Sequence, residues 1–197
     1  PRKRFQSSRQ PIPSDFDYPE LPRRHAVKML DVTSLKENSM PTITPKIVPH
    51  LWYDTQAKEA AEFYCSVFPD SEVTSVTTLT ETPSGDCDIV SFTLCGQPFM
   101  AISAGPYFRF SEAVSFMVNC DTQTEFDHYW EKLSAVPEAE QCGWLKDKYG
   151  LSWQIVPSAL SDMLRSTDAK QVQRVTRAFL QMKKFDLAKL QAAFEGV

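Results

Sequence analysis

The side chains best suited to chemistry in this chain are its cysteines and histidines, which number five and three. The cysteines are odd in number, form no Cys-x-x-Cys pair and have no histidine at zinc-finger spacing. We therefore expect free thiols in a reducing compartment. Cys142 would be a nucleophile only beside a base, and because the sequence places no histidine next to it, a small buried thiol is expected. His128 lies within a helical window, where packing or a solvated position is expected.

Composition and charge restrict the classes of function. The 197 residues are 42% hydrophobic and 23% charged, which is typical of a globular protein. A net charge of −4 disfavours general binding to nucleic acid. The longest apolar stretch, residues 89–104, is interrupted by Gly96, Gln97 and Pro98, so no membrane-spanning segment is expected. A cytoplasmic location follows, and organelle targeting by the basic first residues stays open.

The helices and strands that must position these side chains are predicted only after residue 42. Residues 1–42 indicate a mobile N-terminal arm, because they are rich in proline and show no period of 2 or 3.6. Short β-branched runs then alternate with helical windows, which predicts an α+β domain over residues 43–157. Strands are expected at 47–53, 72–80, 89–94, 99–103, 114–120, 141–145 and 151–156, and helices at 55–68 and up to Leu133. Residues 158–197 are expected to be helical, with Ser158, Asp168 and Asp186 as caps.

An internal repeat organises the domain. The tripeptide Asp-Thr-Gln occurs at residues 54–56 and again at residues 121–123, each time directly after an apolar strand and before a helix. The same order of strand, helix and further strands follows both copies. The sequence therefore predicts tandem βαβββ modules, module one at 43–106 and module two at 112–157.

These modules and several motifs resemble the PhnB-like branch of the vicinal oxygen chelate superfamily, which includes glyoxalases, bleomycin-resistance proteins and extradiol dioxygenases. The motifs are HLWYD (50–54), AAEFY (60–64), GQPF (96–99) and QCGWLKD with GLSWQ (141–147 and 150–154). The resemblance implies the glyoxalase/bleomycin-resistance fold and a homodimer. Members of the branch are often labelled 3-demethylubiquinone-9 3-methyltransferase-like. No glycine-rich strand-to-helix turn of the kind that binds adenosylmethionine occurs here, so the residues do not favour methyl transfer.

The resemblance also implies where a metal would sit. Metal-dependent members hold one divalent ion with His, Glu or Gln side chains from strands related by the internal repeat. His50 and Gln154 match two of these positions, whereas Met117 stands where the second module would carry its histidine. Because these side chains supply no negative charge, we expect a degenerate metal site, with no metal or other cofactor bound.

Apart from the metal positions, the sequence predicts a cleft lined by aromatic and polar side chains. Strand alternation places His50 and Trp52 on one face, and likewise Ser152 and Gln154, so each pair projects into the cleft that the resemblance implies. Rings with a few amide and hydroxyl groups suit a flat or amphipathic organic ligand. The predicted ligand-binding residues are His50, Trp52, Ser103, Met117, Cys142, Trp144, Ser152 and Gln154. The predicted function is binding of a small organic molecule, and glyoxalase- or dioxygenase-like catalysis stays open.

Two alternatives belong to other classes. The first is a metal-dependent isomerase, lyase or dioxygenase whose site is completed across a homodimer. The second is a protein-interaction module that uses the helical stripe of Val172, Val175, Phe179 and Met182.

Overall fold

The computed structural model describes residues 45–197, so the arm predicted at 1–42 lies outside the described residues. The strands are β1 (His50–Tyr53), β2 (Glu72–Thr82), β3 (Gly85–Leu94), β4 (Gln97–Ser103), β5 (Phe116–Cys120), β6 (Trp144–Lys146) and β7 (Ser152–Pro157). The helices are α1 (Ala57–Val67), α2 (Gln123–Leu133), α3 (Ser158–Leu164), α4 (Ala169–Phe179) and α5 (Leu187–Glu195), with a 3-10 helix at Pro137–Ala139.

Module one forms a four-stranded sheet with α1 against one face. The strand order is β1-β4-β3-β2; β1 runs parallel to β4, and the other pairs are antiparallel. Ala60 and Ala61 of α1 are fully buried, and their small side chains let the helix approach the sheet closely. Val90 and Phe92 of β3 fill the same core. Within residues 45–197 no helix packs on the opposite face, where His50 is exposed.

Module two has a smaller sheet with the order β5-β7-β6, in which β5 is parallel to β7. The helix α2 packs on it through Phe126 and Leu133, both buried. Within the described residues this sheet has three strands, because the chain after α2 passes through the 3-10 helix that begins at Pro137 and a single bridge between Gln141 and Trp144. Proline lacks the amide hydrogen that a further ladder strand needs. The α+β class, with its two small sheets and the C-terminal helices, is confirmed.

The repeated tripeptides begin their helices differently. In module two the Thr122 hydroxyl accepts a hydrogen bond from the Glu125 amide, and the Glu125 carboxylate accepts one from the Asp121 amide. In module one the helix begins one residue later in the repeat, at Ala57, whose amide donates to the Ser103 hydroxyl 3.0 Å away. The Ser103 hydroxyl is therefore already engaged as the hydrogen-bond acceptor of the first residue of α1.

The C-terminal helices pack on the domain. Val175 is fully buried and Phe179 and Met182 contact the core, so the predicted stripe is occupied within the chain. Asp168 and Asp186 cap α4 and α5 as expected. The cap predicted at residue 158 was wrong, because α3 already includes that residue and follows Pro157 without a side-chain cap. No helix within residues 45–197 combines the length and apolarity needed to cross a membrane.

Candidate functional site

A cleft of about 490 Å³ lies between module one and the turn that joins β6 to β7. We call it the inter-module cleft. The end of β1 forms one side, and the loop of residues 104–115, which connects the modules, closes another. Its lining residues are Trp52, Tyr53, Asp54, Gln56, Pro106, Phe108, Arg109, Phe110, Val136, Lys146, Asp147, Lys148, Tyr149 and Gly150.

Aromatic contacts hold the connecting loop against β1. The rings of Trp52 and Phe108 meet edge to face with their centroids 4.9 Å apart, and those of Tyr53 and Phe110 lie 5.3 Å apart. The indole nitrogen of Trp52 also donates to the carbonyl oxygen of Gly105 at 2.8 Å. Contacts within the protein therefore hold the aromatic walls of the cleft in place.

The buried carboxylate of Asp147 forms the floor. Its Oδ2 accepts hydrogen bonds from the Tyr64 hydroxyl and the Trp153 indole nitrogen, both at 2.8 Å. Its Oδ1 accepts from the backbone amides of Tyr149 and Leu151. Tyr64 belongs to α1 and Asp147 to module two, so this carboxylate joins the two modules. With four donors satisfied within the protein, it is a structural acceptor rather than a free catalytic base.

Burial controls the protonation of this network. Burial raises the pKa of Asp147, whereas its four hydrogen bonds oppose that change by stabilising the charged form. The Tyr53 hydroxyl lies 3.2 Å from that of Tyr64, and burial raises the pKa of both phenols far above the usual range. Both phenols therefore stay protonated at neutral pH and serve as hydrogen-bonding groups.

The two lysines at the rim have acidic partners. Lys148 lies 3.1 Å from the Glu59 carboxylate, which also accepts a hydrogen bond from the Tyr149 hydroxyl at 2.7 Å. Partial burial, with the Glu59 hydrogen bond adding to it, raises the pKa of Tyr149 to about 12. Lys146 pairs with Glu112 of the connecting loop. Neither lysine is a free positive charge.

The open face of the second sheet brings three predicted ligand-binding residues together. The strand register places Met117 beside Gln154, and Gln154 beside Trp144, in one row across β5, β7 and β6. The Gln154 amide nitrogen donates to the Ser115 hydroxyl at 2.8 Å, and Met117 is 56% exposed. Met117 also lines an apolar groove of about 470 Å³ beside β5. This row lies outside the inter-module cleft.

His50 and Trp52 share the open face of the first sheet, as strand alternation predicted, while Leu51 and Tyr53 point into the core. His50 is exposed and pairs in register with Met100 of β4. It therefore lies on a different sheet from Gln154. No group of three or more His, Cys, Asp or Glu side chains within residues 45–197 is arranged to hold a metal ion.

The remaining predicted residues have other surroundings. The Ser152 hydroxyl is buried and has no hydrogen-bond partner within the described part of the chain. Cys142 is half-buried, and its amide donates to the carbonyl oxygen of Met182. Of the predicted ligand-binding residues, Trp52 lines the inter-module cleft and the others do not.

Sequence reasoning missed the cleft residues Phe108, Arg109, Asp147 and Tyr149 as candidates for a site. One signal was present for Asp147, since an aspartate that opens a turn ending in glycine commonly accepts hydrogen bonds from the backbone of that turn. Phe108 and Arg109 lie in a loop without periodicity, which gave no comparable signal.

The two small sheets with their packed helices are the α+β arrangement that the motifs' resemblance to the glyoxalase/bleomycin-resistance fold implied. A family model described as 3-demethylubiquinone-9 3-methyltransferase matches residues 45–156. The chain belongs to this PhnB-like family, and the resemblance drawn from its motifs is confirmed.

The chain is also similar to several solved structures. A PhnB protein from Bacillus cereus, described as a 3-demethylubiquinone-9 3-methyltransferase, is 34% identical over 58% of this chain and 100% of its own, with a TM-score of 0.49. A Staphylococcus aureus protein is 28% identical over 56% and 94%, with a TM-score of 0.27. Protein PA1353 from Pseudomonas aeruginosa is 18% identical over 58% and 98%, with a TM-score of 0.45. No curated protein matches the chain.

Proposed function

We propose that this PhnB-like protein binds a small organic molecule in the inter-module cleft. The observation that carries the proposal is a cleft of about 490 Å³ with aromatic walls already held in place by ring contacts. This volume lies within the ~300–1,000 Å³ of typical ligand pockets. Preformed walls reduce the ordering cost of binding, and flat rings favour a flat ligand.

The proposal does not include methyl transfer, although the family description names that activity. The turns that lead from β1 to α1 and from β5 to α2 contain no glycine. A nucleotide-like methyl donor needs the backbone to approach closely at such a turn. It also does not include a metal, because Met117 and Gln154 carry no charge to offset a divalent cation.

We expect Trp52→Ala to weaken the binding of a neutral aromatic probe, 2-naphthol, by about tenfold, which corresponds to the ~1.4 kcal/mol that one ring contact contributes. Calorimetric titration of the full chain measures this. Trp144→Ala is the matched control, since this indole is also half-buried but lies on the open face of the second sheet. Loss of binding in Trp144→Ala alone, or no binding of 2-naphthol to the unchanged protein, would contradict the proposal.

A second candidate function uses the open faces of both sheets. We propose that a second copy of the chain covers them and pairs with β1 and β5, which are edge strands of their sheets within residues 45–197. Met117 is 56% and Val114 65% exposed beside one of these edges. His50 and Gln154 lie on different sheets of one copy, so a metal shared by both needs His50 of one copy beside Gln154 of the other. A metal-dependent isomerase, lyase or dioxygenase would need that arrangement.

Light scattering on the full chain should give twice the mass of one chain, and Met117→Arg should give a single chain because a charge then faces the interface. Leu180→Arg is the matched control, since Leu180 is 50% exposed on the C-terminal extension. A monomer in the unchanged protein removes this candidate.

Metal analysis of a dimer distinguishes small-molecule binding from metal-dependent catalysis. Stoichiometric metal that is lost in His50→Ala favours the metal-dependent enzyme.

A further inference from the structure

The charged residues of the inter-module cleft are not equivalent. Lys146 and Lys148 each pair with a glutamate, and Asp147 is committed to donors within the protein. Arg109 also lines the cleft, is exposed, and forms no ion pair within residues 45–197. Arg109 therefore differs from Lys146 and Lys148, because no carboxylate pairs with its guanidinium in the part of the chain that the structure describes.

The backbone on both sides of Arg109 is fixed. Phe108 before it packs on Trp52, and Phe110 after it packs on Tyr53. These contacts hold the backbone of Arg109 beside the aromatic walls, and its side chain lines the cleft. A planar guanidinium with several N–H donors is suited to bind a carboxylate or a similar oxyanion through two parallel hydrogen bonds.

The acidic residues that line the cleft are Asp147 and Asp54, and neither forms an ion pair with Arg109 within residues 45–197. Asp147 is 1% exposed and lies at the floor. The exposed Asp54 comes just before α1, where the positive end of the helix dipole favours a negative charge. Arg109 lies on the connecting loop, which the Gly105 amide joins to the carbonyl oxygen of Asp54.

We propose that the ligand of the inter-module cleft is a planar organic acid, with its ring against Trp52 and Phe108 and its anionic group on the guanidinium of Arg109. This inference rests on the proposed function and names the chemical class of its ligand. Because charge-assisted hydrogen bonds are stronger than neutral ones, the anionic form of a ligand should bind more tightly than its neutral isostere.

Two probes with the same ring test this on the full chain: 2-naphthoate, which is an anion at pH 7, and 2-naphthamide, which is neutral. We expect 2-naphthoate to bind at least about tenfold more tightly in calorimetric titrations. Arg109→Gln should reduce this preference to less than about threefold, because the loss of affinity is larger for the charged 2-naphthoate than for the neutral 2-naphthamide. Arg177→Gln is the matched control, because Arg177 is also exposed and lies on α4.

Equal binding of the two probes, or a preference for 2-naphthoate that survives Arg109→Gln, would overturn this inference. In either case binding of 2-naphthamide that depends on Trp52 leaves the proposed function standing. If neither probe binds, both proposals fail. A preference for 2-naphthoate that Arg109→Gln and Arg177→Gln reduce equally would point to the overall charge of the protein and also overturns the inference.

Discussion

Replacing Asp147 with alanine is expected to lower the free energy of unfolding by about 3–5 kcal/mol, because several buried donors lose their acceptor at once. Each unsatisfied buried donor costs about 1–3 kcal/mol, and water entering the space recovers part of the loss. The Tyr64 hydroxyl and the Trp153 indole nitrogen are the most affected, since both are enclosed by the core. Urea unfolding at pH 7 measures the change.

Asp162→Ala is the control for this variant. Its carboxylate pairs with Arg165 on an exposed helix surface, where such a pair contributes less than about 1 kcal/mol. Tyr64→Phe removes one donor and keeps the ring, so it should cost about 1 kcal/mol. A loss below about 1 kcal/mol for Asp147→Ala would show that this carboxylate does not join the modules.

The elements of module one were predictable because their patterns are local. The alternation of β1 and the helical spacing of Ala57, Ala60, Ala61 and Tyr64 in α1 depend on neighbouring residues, and both elements lie within the predicted ranges. The turn at residues 82–85, with Thr82 opposite Gly85, joins β2 to β3 between the strands predicted at 72–80 and 89–94. In module two, three strands form within the described residues where a βαβββ module has four, because the chain after α2 folds into a 3-10 helix at Pro137 before it reaches β6.

The cleft was not predictable in the same way, because it depends on contacts between distant residues. Trp52 binds the carbonyl of Gly105 across 53 positions, and Asp147 binds Tyr64 across 83. Neither pairing leaves a local pattern in the sequence. The connecting loop is positioned by these contacts rather than by its own propensity, so Arg109 could be assigned to a cleft only once the fold was known.

Gly143 is the position where a single added methyl group is expected to disturb the fold most. It begins the turn into β6, with a φ of 80° in the left-handed region that favours glycine. A Cβ there would lie 2.6 Å from the backbone oxygen of Ile155 and 2.6 Å from the ring of Phe185. The Gly143 amide also donates to the carbonyl of Lys183, so a shift here would loosen the C-terminal segment from the sheet.

We expect Gly143→Ala to lower the free energy of unfolding by about 3–5 kcal/mol, the sum of left-handed strain and overpacking against a backbone atom. Gly150→Ala separates the two causes. Gly150 has a φ of 84° but nothing within 4 Å of an added Cβ, so it should lose only the ~1–2 kcal/mol of strain. Equal losses in the two variants would contradict the contact with Ile155 and Phe185. Because Gly143 lies outside the inter-module cleft, folded Gly143→Ala protein should bind 2-naphthol with unchanged affinity.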